Sequence, residues 1–246
     1  MMKVFALTSA IILTGIINTQ AQIKLPKQVV ENSTVNSVIG GSNHSNLSES
    51  QIIQGLKEAL KVGTNNAVGM VSKTDGYLKN PSIKIPFPPE AKNVEYAVRQ
   101  VGFDKQANDF IKALNRAAED AAKSATPIFV QALNEMTFSE AKKILKGNET
   151  AATQYMANKT TDNLVKAFKP IVQKSIEKTE VTKYWQTVAQ KYNQLPLTQK
   201  VNPDLELYVT NKAIEGLFKM IGEEETKIRK DPAARVNDIL KNVFGS

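Results

Sequence analysis

The sequence predicts an all-α protein, a single multi-helix bundle of about nine helices with at most one short extended strand or hairpin near 81–88. Three observations carry this. Apolar residues recur three and four positions apart over most of residues 47–246. Two strings, Ser48 with Gln51 and Thr137 with Glu140, have the spacing at which a hydroxyl and a carboxylate or amide cap each other's backbone N–H at a helix start. Only the proline-rich stretch 81–89 shows a period of two, through Ile83, Ile85 and Phe87.

Taken in order, the first helix starts at the Ser48 cap and carries Ile52, Ile53, Leu56, Leu60, Gly63, Ala67 and Val71 on one face. Prolines 81, 86, 88 and 89 forbid a helix in the connection over residues 73–89. A helix around Glu90–Val101 is stopped by Gly102. Over Asp104–Ser124, residues Ala107, Phe110, Ile111, Leu114, Ala117, Ala118 and Ala121 define one narrow apolar face. Pro127 suits the first turn of the next helix. A short helix runs from the Thr137 cap to Gly147, and Asn148–Asn158 forms another. Thr161–Lys178 carries Pro170 in its interior, which predicts a kink and a freed carbonyl near Lys166. Val181, Tyr184, Trp185, Val188 and Tyr192 form an aromatic stripe suited to the core. Asp204–Arg229 is a long helix, and Pro232–Phe244 closes the chain. Gly55 and Gly216 each sit in an Ile-x-Gly-Leu string, which suggests two helices crossing closely at those points.

Composition removes much chemistry. Of 246 residues none is cysteine and one is histidine, His44. There is therefore no disulfide framework, thiol nucleophile, iron–sulfur cluster or zinc-thiolate site. A His-rich metal site is excluded, and so is a Ser-His-Asp triad that does not use His44. A di-iron carboxylate bundle needs Glu-x-x-His repeats, and none exists. No metal and no cofactor are expected. The charged share of 23% and hydrophobic share of 41% are those of a globular chain. The formal charge is +8, but lysines alternate with acids and no basic arm forms. Specific nucleic-acid binding is not expected; weak attraction to anionic surfaces is.

The start of the chain reads as an address. Lys3 precedes an apolar run, Val4 to Ile17, and Thr19 and Ala21 supply the small residues a signal peptidase reads. The expected organisation is a signal peptide over 1–21, a flexible Asn/Ser/Gly-rich lead-in over 22–46 and a single helical domain over 47–246. Cleavage would leave no transmembrane anchor, and the expected location is the periplasm or, failing that, the extracellular space.

Several strings resemble a family of exported bacterial helical proteins known only as a domain of unknown function. They are Gly55-Leu56-Lys57-Glu58-Ala59-Leu60, Asp75-Gly76-Tyr77 with Asn80-Pro81, Ile83-Lys84-Ile85-Pro86 and Asn115-Arg116-Ala117-Ala118-Glu119. Ala152-Thr153-Gln154-Tyr155, Glu223-Glu224-Glu225 and Asp231-Pro232-Ala233-Ala234-Arg235 follow in the same order. The resemblance implies an exported, helical, Gram-negative-type protein with no assigned activity. Many similar chains look like lipoproteins, and this one departs from them by lacking the cysteine. No residue roles carry over.

Candidate site residues come from side-chain chemistry alone. Glu224 falls at the centre of the stripe Ile214, Leu217, Ile221 and Ile228, where a carboxylate is a ligand or general acid, or else pairs with an arginine such as Arg99, Arg116 or Arg235 or simply lies at an exposed helix end. Asn115, Arg116 and Glu119 lie opposite the apolar face of their helix, either as a solvated face or as a buried polar network under another helix. Gln154 and Tyr155 are an amide and a phenol suited to a polar pocket or to capping and packing. Glu225 and Arg229 are spaced as an i,i+4 pair worth a few tenths of a kcal/mol. Tyr77, Ile83, Ile85 and Phe87 either pack over the bundle or form an apolar partner surface.

No catalytic residue is identified. The leading expectation is a non-enzymatic binding module for a small amphiphile or an envelope protein. An envelope hydrolase using paired carboxylates such as Glu224 and Glu119 with Arg116 is the first alternative, and a structural assembly subunit the second.

Overall fold

Helix α1, Glu49–Val71, begins where Ser48 and Gln51 cap each other. The Ser48 N–H donates to Gln51 Oε1 at 2.9 Å, and the Gln51 N–H donates to Ser48 Oγ at 3.3 Å. The structure, a computed structural model, describes residues 48–179, 185–194, 200–201 and 204–231. After α1 the chain turns through residues 72–88 into a 3-10 turn, Pro89–Ala91, and helix α2, Lys92–Gln100. Gly102 takes φ +83°, a left-handed value that side chains resist, and the chain re-enters helix at α3, Asp104–Ala122. Then come α4 (Ala125–Asn134), α5 (Phe138–Lys146), α6 (Ala151–Glu177), α7 (Trp185–Asn193) and α8 (Leu205–Lys230).

Among the described residues the fold is therefore all-α, with eight α-helices and no strand. The count is lower than expected for a physical reason. The two helices expected over 148–158 and 161–178 are one, α6. The Thr160 and Thr161 hydroxyls donate to the Met156 and Ala157 carbonyls at 2.7 Å each, so the polar stretch between them satisfies itself inside the helix. The same helix runs on through Pro170. The helix expected at 232–244 lies outside the described residues, as do Val181 and Tyr184 of the aromatic stripe.

No strand forms near 81–88. The backbone of Ile85 finds its partner in a side chain instead: Asn115 Oδ1 of α3 accepts the Ile85 N–H at 2.9 Å, and Asn115 Nδ2 donates to the Ile85 carbonyl at 2.8 Å. One amide thus makes both bonds that a neighbouring strand would make.

α6 packs along α8 and α3, while α1 packs on α8 and α4. Leu114, Leu164, Phe168 and Leu217 fill the centre. The connection after α1 is part of this core. Tyr77, Ile83, Ile85 and Phe87 are all buried: they pack over the bundle, the first of the two readings, which corrects the alternative of an exposed partner surface there. The prolines keep this segment out of helix, and that leaves it free to lie against α3 and α8. Phe87 stacks on Phe110 at 4.4 Å between centroids, and Phe110 meets Trp185 at 5.3 Å.

The Tyr77 hydroxyl donates to the Ala213 carbonyl of α8 at 2.6 Å, and burial pushes its pKa well above the usual phenol range. Its ring lies over Gly216, where an added Cβ would stand 2.7 Å from Tyr77 Cε1 and 3.1 Å from Ile83 Cβ. Gly216 therefore makes room for the loop and not for α1. The close approach of α1 to α8 falls at Gly63, whose added Cβ would sit 3.5 Å from Ile228 Cδ1.

Gly216→Ala is expected to destabilise the fold in urea unfolding. Overpacking costs about 1–3 kcal/mol, and the Tyr77 ring, held at its hydroxyl, cannot retreat; helix propensity returns only about 1 kcal/mol. Gly69→Ala is the control: nothing stands within 4 Å of the added Cβ, so it should stabilise α1 by up to about 1 kcal/mol. A Gly216→Ala variant as stable as Gly69→Ala would contradict the close fit.

Candidate functional site

Arg116 and Glu119 form a network with Asp75 under the loop over 72–88, where the sequence suggested a helix, while Asn115 bonds separately to the Ile85 backbone and the Ile111 carbonyl. Glu119 is buried. Its Oε1 accepts the backbone N–H groups of Tyr77 and Leu78 at 3.1 and 3.2 Å, and its Oε2 accepts from Arg116 at 2.5 Å. Arg116 reaches on to Asp75, also at 2.5 Å. Asp75 takes φ +69°, a strained backbone for a residue with a side chain, immediately before Gly76. A Cβ on Gly76 would lie 2.5 Å from the Val71 carbonyl oxygen, so only glycine fits that turn. Lys79 and then Arg116 hold the Asp75 carboxyl below its usual range. The arrangement is a latch. Its donors and acceptors are spent on the protein's own backbone, and the Arg116 guanidinium stands between the two carboxylates it neutralises.

The C-terminal carboxylates are equally occupied. Glu224 is buried in the stripe, as its position requires, yet neither Arg99 nor Arg116 meets it: Arg99 pairs with Glu95 and Asp104, and Arg116 with Asp75 and Glu119. Arg235 lies outside the described residues. Glu224 instead accepts from Lys227 at 2.6 Å and from Asn66 Nδ2 of α1 at 3.2 Å. Its neighbour Glu225 does far more than an i,i+4 pair suggests. It accepts the N–H groups of Ala152 and Thr153 at 3.0 and 2.8 Å and the Thr153 hydroxyl at 2.8 Å, so a side chain of α8 caps the start of α6. Arg229 donates to Glu225 at 2.9 Å and to the Ile144 carbonyl near the end of α5 at 3.0 Å. Together they clamp the α5–α6 junction.

Gln154 and Tyr155 join neither cluster. Gln154 is exposed and donates to Thr150 Oγ1 at 3.1 Å. Tyr155 is half-buried, with Lys159 Nζ 5.6 Å from its ring centroid and Glu140 at 3.5 Å. Glu140 closes the second capping box with Thr137. The Lys159 ammonium, 2.9 Å away, and then the Thr137 donors hold the Glu140 carboxyl down at about 2. A depressed folded value means the stabilisation is complete above the unfolded value, 4.5, and is lost as pH falls toward about 2. Glu140→Gln should flatten the part of the acid-unfolding profile in that window; a parallel profile in the variant would contradict it.

The expected ligand residues thus divide into a latch on α3, a clamp on α8 and two surface positions. Glu119 and Glu224 share no partner. A groove of about 420 Å³ between α1 and α4 is lined by Ile53, Lys57 and Leu133, and one of about 540 Å³ beside the start of α6 by Thr153, Phe218 and Gly222. Both are open to solvent, and Glu224 lines neither. A pocket of about 10 Å³ beside Glu225 has room for one water at most. Among the described residues there is no group of three metal-ligating side chains, and no helix is long and apolar enough to cross a membrane.

Residues 46–245 match the family described as "Protein of unknown function (DUF4197)". The chain belongs to this family. The matched span contains both halves of the latch, Asp75-Gly76-Tyr77 and Asn115–Glu119, and the Glu225 clamp. No curated protein and no solved structure matches the chain.

One surface feature escaped the sequence reading. Helix α2 has no buried residue, and Tyr96, Val101 and Phe103 on it and just after it are 65%, 68% and 51% exposed. Tyr96 stands off the Val94–Val98 face of the helix, while Val101 continues that face and, with Phe103, flanks the left-handed Gly102.

Proposed function

We propose that the protein is an exported, non-enzymatic helical binding module whose contact surface is the tip between α2 and α3. The observation that carries this is the exposure of Tyr96, Val101 and Phe103 within eight residues of chain, the large exposed hydrophobics of the described fold. The candidate carboxylates support it by elimination. Glu119, Glu224 and Glu225 each bond to the protein's own side chains or backbone, so their oxygens are engaged within the fold. The basic and apolar leader over 1–21 supports export to the periplasm, with 22–46 as a lead-in and 47–246 as the folded domain.

Fractionation of the producing cells tests both halves. The wild type is expected in the envelope-bound fraction with its N-terminus at Gln22 by mass, and a Tyr96→Ser, Val101→Ser, Phe103→Ser triple variant in the soluble fraction with unchanged thermal stability. An unchanged distribution of the variant would overturn the contact surface. A retained Met1 would overturn cleavage after Ala21.

A further inference from the structure

We infer that the occupant of the α2–α3 tip is the interfacial zone of a lipid bilayer, an inference that rests on reading the tip as the contact surface. Size argues for lipid first. Aromatic side chains cover about 150–250 Å² each when fully buried, so Tyr96 and Phe103 at 65% and 51% exposure, with the smaller Val101 at 68%, offer on the order of 300 Å². A stable protein–protein interface takes about 800 Å² from each partner. A bilayer surface asks much less, because a few apolar side chains at the end of a helix enter the headgroup boundary individually.

Side-chain chemistry points the same way. Tyr96 carries a polar hydroxyl on an apolar ring, the amphipathic form that settles at the water–lipid boundary, with Val101 and Phe103 on either side of the Gly102 turn. Lys92 lies one turn before Tyr96 on the same exposed stripe, and it takes no part in the ion pairs that tie up the acids around the turn, Arg99 with Glu95 and Asp104 and Lys105 with Asp109. The acids of the tip are neutralised: Glu95 and Asp104 both pair with Arg99, at 2.8 and 3.3 Å, and Asp109 with Lys105 at 2.7 Å. Arg99 is also tied to Asn108 at 3.1 Å. In a chain of net charge +8, the cation left beside the tip favours a surface of anionic headgroups.

The absence of cysteine makes the test site-specific. A single Phe103→Cys chain carries an environment-sensitive dye at the tip, and a Gln131→Cys chain carries it on the exposed side of α4. With phosphatidylglycerol vesicles, the dye at 103 should shift to the blue and brighten several-fold, and the dye at 131 should not change. Phosphatidylcholine vesicles should give a weaker response, and Lys92→Gln should narrow the difference between the two lipids. No change at 103, or equal changes at both positions, would overturn the proposal. A dye at 103 already shielded without vesicles would overturn it in favour of another segment of this chain, and shielding that grows with protein concentration in favour of a second copy. If vesicles leave the dye unchanged while the triple serine variant still leaves the envelope fraction, the tip binds a protein, and lipid alone is refuted.

Discussion

Glu225→Ala is expected to lower stability by about 3–5 kcal/mol, the range for removing one partner of a buried ion pair. Three donors of α6 lose their acceptor at once, the Ala152 and Thr153 N–H groups and the Thr153 hydroxyl, and Arg229 loses the anion that aims it at Ile144. Glu225 and Arg229 side chains are 5% and 13% exposed, so water replaces few of these bonds. At about 2–4 °C per kcal/mol for a domain of this size, the thermal midpoint should fall by at least about 6 °C. Glu225→Gln keeps an acceptor of the same shape and should fall between the two. Urea unfolding of the three proteins measures the order. An alanine variant within about 1 kcal/mol of wild type, the worth of an exposed pair, would mean the clamp is not what joins α5 to α6.

The second large effect belongs to Glu119. Glu119→Ala leaves the Tyr77 and Leu78 N–H groups without an acceptor under the loop and removes one of the two anions of Arg116. The expected loss is about 3 kcal/mol, the lower end for a buried pair, because Arg116 keeps Asp75 and is partly exposed. Hydrogen exchange separates this from a general loosening: the Tyr77 and Leu78 amides should exchange faster than the helical amides of α6. Uniform acceleration across the domain would refute a local latch.

These two carboxylates also mark the limit of what the sequence makes legible. The capping boxes at Ser48–Gln51 and Thr137–Glu140 are readable because both partners lie three residues apart on one strand of chain. The apolar face of α3 is readable for the same reason. Asn115 is not: its amide replaces a strand for Ile85, thirty residues upstream, and no local pattern says which backbone it will meet. Glu225 shows only its partner at i+4, while the bonds that give it weight come from Ala152 and Thr153. Tyr77 and Phe87 could be named as apolar residues of an unusual loop, but whether such residues face a core or a partner depends on the groove that α3 and α8 create. Tyr96, Val101 and Phe103 are hard to read for the opposite reason. Val94, Val98 and Val101 have the spacing of a face that helical periodicity assigns to a core, and nothing local says that α2 buries no residue.

The Tyr77–Ala213 bond and the Glu225 clamp share a consequence for how the protein assembles in time. Each joins α8 to a segment made long before it, separated by 136 residues in one case and 73 in the other. While the chain is still emerging, from the ribosome or through a membrane, helices α1 to α6 can form their local turns and α3 can hold the loop through Glu119 and Asn115, but the loop lacks its bond to α8 and the α5–α6 junction lacks its clamp. Contacts of such separation are the slow ones to form. The chain should therefore stay loosely organised and threadable until residues 205–230 arrive, and only then close in a single cooperative step.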